Sequence, residues 1–361
     1  MLGNPQYLIT VYSNTLYTSD FWRKMNLSDI TIVILSRGRE EILRRTLTYW
    51  SNQEVNVVVI HNTDKPIDVR GFSGKLTYKI HRGSYGERCS IVPELLKTRF
   101  SILSADDELF LPSGLVAMKS ALEKNESLTS VGGRTLAIGK YGPLITGANP
   151  YSNMNGYINS SDTSFGRIYN HYDAEFGNRI GGIYRLMDSK CMSQIMRVFG
   201  AVARIRTPYI FEVTGEILVN SLGDCTYLPN VYWLRNWINV PVRHRNWDRK
   251  LQFTSWVTAK EFANEVSEWK STIGLEVGLS AKEIEIIVQR IIAVRTPAEE
   301  NSPGRNNLFV RYIPTGVKAK VRKYFSPSTL PSNLHLTLEK MLENGAKFDL
   351  HEIESAVNFI S

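Results

Sequence analysis

The sequence predicts an α/β fold, a mostly parallel sheet flanked by helices, followed by a C-terminal helical extension. Three observations carry this. Residues 30–36 (ITIVILS) and 55–62 (VNVVVIHN) are short apolar runs rich in β-branched residues, as strands buried on both faces require. Between and after them the apolar spacing lengthens to that of helices, giving the alternation of a helix-covered parallel sheet. Beyond about residue 254, amphipathic helical patterns follow one another without strands between them.

The elements follow in order. Residues 1–28 show no clear period and read as a leader segment. After the first strand, residues 39–50 place Ile42, Leu43, Leu47 and Trp50 on one helical face. The second strand is 55–62, and 75–81 (KLTYKIH) is a third. A helical stretch over 87–98 contains Pro93, which should start or kink a helix. Residues 100–104 form a fourth strand that runs directly into Asp106-Asp107-Glu108, and Pro112-Ser113-Gly114 opens a helix reaching about Lys124. Residues 128–180, rich in Gly, Asn, Ser and Tyr, read as extended loops and antiparallel strands. Residues 181–222 read as helical with a break at Arg206-Thr207-Pro208. Amphipathic helices are expected over 258–273, 281–294, 334–344 and 350–360. The chain thus divides into a leader (1–28), an α/β domain (29–253) and a helical extension (254–361).

Composition excludes several classes. With 43% apolar and 22% charged residues, the 361-residue chain has an ordinary globular balance. The net charge of +8 suits anionic partners such as nucleotide phosphates or an anionic membrane surface. Nucleic acid is not expected, since no nucleic-acid-binding motif accompanies the charge; the Lys318-Lys320-Arg322-Lys323 cluster reads instead as a lipid contact or a solvated face. Cys89, Cys191 and Cys225 are widely spaced and form no C-x-x-C pair, which fits a reducing cytoplasm. No run approaches the ~20 apolar residues of a membrane helix. Cytoplasmic residence, with at most a peripheral membrane contact, is the expectation.

The strongest chemical signal is Asp106-Asp107-Glu108 at the end of a buried strand. Ligands of open parallel sheets bind beyond the carboxyl ends of the strands. Carboxylates there can hold a hard cation against a nucleotide diphosphate. The bland alternative is a polar turn before a helix.

The pieces ITIVILSRGREEILRRTLTYW, VVVIHNTD and SILSADDELFLP, in this order and spacing, resemble the GT-A glycosyltransferases, especially the family-2-like bacterial enzymes. The resemblance covers residues 30–125 well and 126–250 loosely. It implies a metal-dependent transferase that moves a sugar from a nucleotide-sugar donor to a glycan or similar hydroxyl acceptor, in bacterial surface polysaccharide synthesis. By position it implies that Ser36, Arg37, Arg39, Asn62 and Asp64 surround the nucleoside. Arg88 would lie near the diphosphate, and Asp106 would face the ribose or the metal. Glu108, with Asp107 as its rival, would hold Mn²⁺ or Mg²⁺; this chain has Glu108 where many relatives carry a third Asp. A late base, Glu216 or Glu212, would deprotonate the acceptor if the anomeric centre is inverted. His244 is a candidate to complete the metal shell, and Arg235 to hold the leaving diphosphate. Tyr232 and Trp233 could stack on sugars or simply pack.

The sequence lacks a P-loop, a strand-linked G-x-G-x-x-G, an H-E-x-x-H and a G-x-S-x-G elbow. The rival to the enzyme reading is an inactive GT-A scaffold that binds nucleotide or carbohydrate.

Overall fold

The computed structural model describes residues 26–51, 53–72, 75–141, 144–173, 181–203, 208–236, 252–300 and 332–360. The first strand, β1 (Ile30–Arg37), feeds α1 (Glu40–Ser51). Then come β2 (Asn56–Asn62), β3 (Leu76–Ile80), α2 (Tyr85–Leu95), β4 (Phe100–Ser104), β5 (Glu108–Phe110) and α3 (Pro112–Lys124). β1 pairs in parallel with β2 on one side and β4 on the other, and β2 pairs in parallel with β3. Strand order β3-β2-β1-β4 therefore reverses direction between β1 and β4. That reversal opens a crevice at the carboxyl ends of the two strands, where ligands of such sheets bind.

The local reasons match the sequence signals. β1 is buried on both faces, with Ile32 and Ile34 in one core and Val33 in the other. α2 begins with a capping box, in which the Glu87 amide donates to Ser84 Oγ and the Ser84 amide donates to the Glu87 carboxylate. Pro93 lies inside α2, two residues before its last residue, rather than at its start. α3 starts with Pro112, where the absent N–H costs nothing. Gly86 lets α2 approach α5 closely; a Cβ there would collide with the Phe199 carbonyl and Ala203. Here α5 is Ser189–Ala201.

The sheet then becomes antiparallel. The long β6 (Leu128–Tyr141) pairs with β7 (Leu144–Ala148) and with β9 (Leu186–Asp188), which joins β4. β10 (Asp224–Asn236) runs parallel to β6 and antiparallel to β5 and to β8 (Ile158–Asn159). The segment expected as loops and strands also holds α4 (Ser164–His171), and the region expected as helical contains β9 between Gly181 and α5. α6 (Pro208–Leu222) follows the expected break.

The C-terminal helices are α7 (Phe253–Thr258), α8 (Ala263–Val277), α9 (Ala281–Glu300), α10 (Leu334–Glu343) and α11 (Leu350–Ile360). The stretch expected as one helix over 258–273 is broken by a short 3-10 turn at Lys260–Phe262. These helices do not stand apart from the α/β body. α7, α8 and α9 share a core with α2, α5 and α6 on one face of the sheet, while α10 and α11 share the other with α1 and α3. β11 (Ser332–Asn333) extends the sheet beside β7. Arg134 of β6 donates to the carbonyls of Met341 and Asn344 at the end of α10, at 3.3 and 2.6 Å. A guanidinium there suits the negative end of the helix dipole. The boundary expected at residue 254 is therefore a change of texture, not of core.

Candidate functional site

The crevice between β1 and β4 is built around Asp106. Its Oδ2 accepts from Ser36 Oγ at 2.6 Å, and its backbone carbonyl accepts from Thr46 Oγ1 at 2.6 Å. Ser36 is the last buried residue of β1, and Asp106 follows β4 by two residues. The two strand ends are thus tied together across the point where strand order reverses. Arg39, just beyond Gly38, spans both carboxylates. It pairs with Asp106 and, at 3.0 Å, with Asp107. Asp107 is the more open of the two, with its side chain 12% exposed against 2%.

Glu108 behaves differently from its neighbours. It lies in β5, opposite Arg235 of β10. One carboxylate oxygen accepts from Arg235 Nε at 2.8 Å and the other from Trp233 Nε1 at 3.0 Å. Burial pushes this carboxyl up against the pull of Arg235. It serves as a buried tie between β5 and β10. Of the two expected rivals, Glu108 has both carboxylate oxygens taken by β10, whereas Asp107 pairs with Arg39.

Arg88 is 3% exposed and donates from Nη1 to the Ser36 carbonyl at 2.8 Å. Burial lowers its affinity for the proton, and the groups that act on its charge (Tyr85, Cys89 and Arg37) include no carboxylate. A buried guanidinium with no carboxylate beside it favours an incoming anion. Arg37 is half-buried next to it. Asn62, at the end of β2, donates to the Gly83 carbonyl at 2.8 Å, tying β2 to the loop before α2. Thr63 donates to Glu40 at 2.6 Å, and this bond holds the Glu40 carboxyl low. Asp64 points outward instead. It pairs with Arg82 at 3.0 Å with both side chains more than two-thirds exposed, and pairs of that kind contribute little.

The two late carboxylates, one helical turn apart on α6, have opposite environments. Glu216 is 1% exposed. Its Oε1 accepts from the Gly181 and Gly182 amides at 2.7 and 2.6 Å, and its Oε2 lies 3.1 Å from His171 Nε2. Burial would raise its carboxyl, but the His171 bond and charge, Arg185 and the Gly182 amide outweigh burial and hold it low. Gly182 is required there, because a Cβ would overlap the Glu216 carboxylate. Glu212 is partly exposed, and its carboxylate accepts no hydrogen bond among the described residues. Burial raises its carboxyl, aided by Glu216 and opposed by Arg295 and Arg235. A pair whose environments push them apart divides into a structural carboxylate and a chemically available one.

An aromatic cluster lies near both Glu212 and Glu108. Tyr184 and Tyr151 stack on the two sides of Trp233, at 4.6 and 5.6 Å between ring centres. Arg235 lies over Trp233 at 5.0 Å and donates to Tyr151 Oη. Tyr85 lies below Arg88, 5.7 Å from its guanidinium carbon, and the phenols of both Tyr85 and Tyr184 are raised chiefly by burial and in part by Glu212. Tyr85, Tyr151 and Tyr184 were not among the expected site residues, since isolated tyrosines in loops and helix starts carry no periodic signal. His244 and the Lys318–Lys323 cluster lie outside the described residues.

Among the described residues no group of three or more His, Cys, Asp or Glu side chains clusters as a metal site. No helix among them is long and apolar enough to cross a membrane. The chain matches no family model and no curated protein.

Proposed function

We propose that this chain is a GT-A-type glycosyltransferase that moves a sugar from a nucleotide-sugar donor to a hydroxyl of a glycan or similar acceptor. The observation that carries this reading is Asp106 and Asp107 converging on one cationic group at the β1–β4 crevice, with Arg88 held on the carbonyl of Ser36 and in no ion pair among the described residues. That arrangement suits a diphosphate bearing a cation.

The donor set fits Mn²⁺ or Mg²⁺. Both Asp106 and Asp107 already face a single positive charge, the Arg39 guanidinium, which stands in for the ion. Hard cations of this kind are commonly held by one or two carboxylates and completed by phosphate oxygens and water. Asp106 and Asp107 would hold the ion, and Glu108 would not, because Arg235 and Trp233 occupy its two oxygens. When bound, the ion supplies Lewis-acid neutralisation of the departing diphosphate.

The chain's own residues perform the rest. Arg37 and Arg88 supply positive charge for the phosphates, and Ser36 and Asn62 shape the nucleoside end. Tyr184 and Tyr151, partly exposed and stacked on the buried Trp233, offer ring faces to a sugar. Glu212 takes the proton of the acceptor hydroxyl as its oxygen bonds to the anomeric carbon, and the diphosphate leaves with the electron pair of the broken bond. This assigns inversion at the anomeric centre. Residence in the cytoplasm, with a peripheral membrane contact, accompanies the proposal.

The test is thermal stability of the full chain against UDP, GDP, ADP, dTDP and CMP, each with and without Mn²⁺. A ligand that binds only the native state raises the melting temperature. A rise with one nucleotide, enhanced by Mn²⁺ and lost in Asp107→Ala, supports the proposal. A second reading, an inactive nucleotide-binding scaffold, is favoured by Arg39 filling the carboxylate pair. It predicts a nucleotide response indifferent to Mn²⁺ and no release of nucleotide from any sugar donor.

A further inference from the structure

Beyond Glu212 the helical side of the site holds charge that the proposed reaction does not use. Arg295, on α9, is 4% exposed, and its Nε and Nη2 have no hydrogen-bond partner among the described residues. Tyr172, directly after α4, is 1% exposed, and its hydroxyl is likewise without a partner there. Both groups are electrostatically in touch with the site. The Arg295 charge opposes the rise that burial imposes on Tyr172 and on Glu212.

The position of Arg295 is fixed by packing. Earlier on α9, Arg290 Nε donates to the Tyr169 carbonyl at 3.0 Å, and its guanidinium lies 3.8 Å from the Tyr169 ring centre. Its other arm is 3.6 Å from Asp173. These contacts clamp α9 onto α4, which itself packs on α6, the helix that carries Glu212. Arg295 is therefore carried into the interior between these helices. Glu212 supplies a counter-charge to Arg295 but takes no hydrogen bond from it, and buried N–H donors left without an acceptor are costly. Here Nε and Nη2 of Arg295 and the O–H of Tyr172 are in the same interior with no acceptor supplied by the described residues. Such a set matches an oxyanion, since a phosphate or carboxylate offers several acceptor oxygens to a planar guanidinium.

We infer that Arg295 and Tyr172 form an anion subsite beside Glu212 that holds a phosphate or carboxylate group borne by the acceptor. The assignment to the acceptor rests on the reading of Glu212 as the acceptor's base. It names the acceptor class as an anionic glycan or polyol rather than a neutral sugar.

The experiment measures melting temperature of the full-length protein against inorganic phosphate and, separately, acetate, at constant ionic strength. It compares wild type, Arg295→Met and Tyr172→Phe. The wild type should be stabilised by at least one of these anions. In Arg295→Met the apparent anion affinity should fall by roughly tenfold or more, as loss of charge-assisted hydrogen bonds implies. Tyr172→Phe, which removes only a hydroxyl, should weaken it severalfold and guards against an Arg295 variant that does not fold. A response to phosphate alone assigns a phosphorylated acceptor, and a response to acetate alone assigns a carboxylated one. The nucleotide response should be the same in all three proteins, so failure here is distinguishable from failure of nucleotide binding. Equal anion responses in wild type and both variants would overturn the inference. So would a wild type that responds to neither anion, and a higher melting temperature of Arg295→Met would then identify Arg295 as an unliganded buried charge.

Discussion

The division of labour between Glu212 and Glu216 gives the sharpest prediction. Replacing Glu216 by Gln keeps one carbonyl oxygen for the Gly181 and Gly182 amides but removes the charge facing His171 and Arg185. Breaking one partner of a buried pair costs about 3–5 kcal/mol. Domains have only about 5–15 kcal/mol in total. By size scaling, the Glu216→Gln melting temperature should fall by roughly 4–7 °C. The pH dependence has a definite sign. The Glu216 carboxyl is held below its ordinary 4.5, so its contribution is complete above that value and is lost as pH falls through the folded value.

Glu212→Gln should do the reverse. Its carboxyl is raised, so the charged form costs stability as pH rises above the ordinary 4.5. The Gln variant is thus expected to melt at or above the wild-type temperature at neutral pH. Its turnover should fall by about 10²–10⁴, the usual worth of a general base. The acidic limb of the wild-type kcat profile should lie above the ordinary carboxylate range. The assay is release of nucleotide from the sugar donor identified by the thermal panel. An unstable but fully active Glu212→Gln, beside a stable and inactive Glu216→Gln, would refute the reasoning by reversing the roles.

The remaining predictions concern the rest of the molecule. Arg39→Gln removes the cation that Asp106 and Asp107 share, and should raise Mn²⁺ affinity of the nucleotide-free protein when titrated calorimetrically; unchanged or weaker binding would show that the pair is not a cation site. Glu352 of α11 accepts from the Ser113 amide at 3.0 Å and from its hydroxyl, yet burial raises its carboxyl from 4.5 to about 7. A raised carboxyl loses stability as pH climbs from the ordinary value to the folded one, here worth up to about 3 kcal/mol. Glu352→Gln should therefore match the wild-type melting temperature near pH 4 and exceed it increasingly up to pH 8; a constant difference across that range would refute the linkage. Gly86→Ala should destabilise by about 1–3 kcal/mol in denaturant titration through overlap with the Phe199 carbonyl, and a wild-type midpoint would mean that α2 and α5 can separate at little cost.

The parallel half of the sheet was legible in the sequence because burial on both faces leaves a local signature. β1, β2 and β4 are continuous apolar runs, and α3 and α11 match their expected spans from Pro112 and Leu350. β10 was not legible as a strand. Its run DCTYLPNVYWLRN contains Pro229, its register slips between Tyr227 and Val231, and it is held by three partners distant in sequence. The same distinction governs the site. Asp106 and Asp107 could be located from their own strand, since a polar pair following a buried strand needs no other information. The fate of Glu108 depends on Arg235 and Trp233, more than a hundred residues away, and that of Glu216 on His171 and the Gly181–Gly182 amides. Sequence names a carboxylate at a helix or strand end, but a carboxylate becomes structural or reactive according to whether the fold brings donors to its oxygens. Glu212 stands out for the same reason: burial has raised it, and no described residue donates to it.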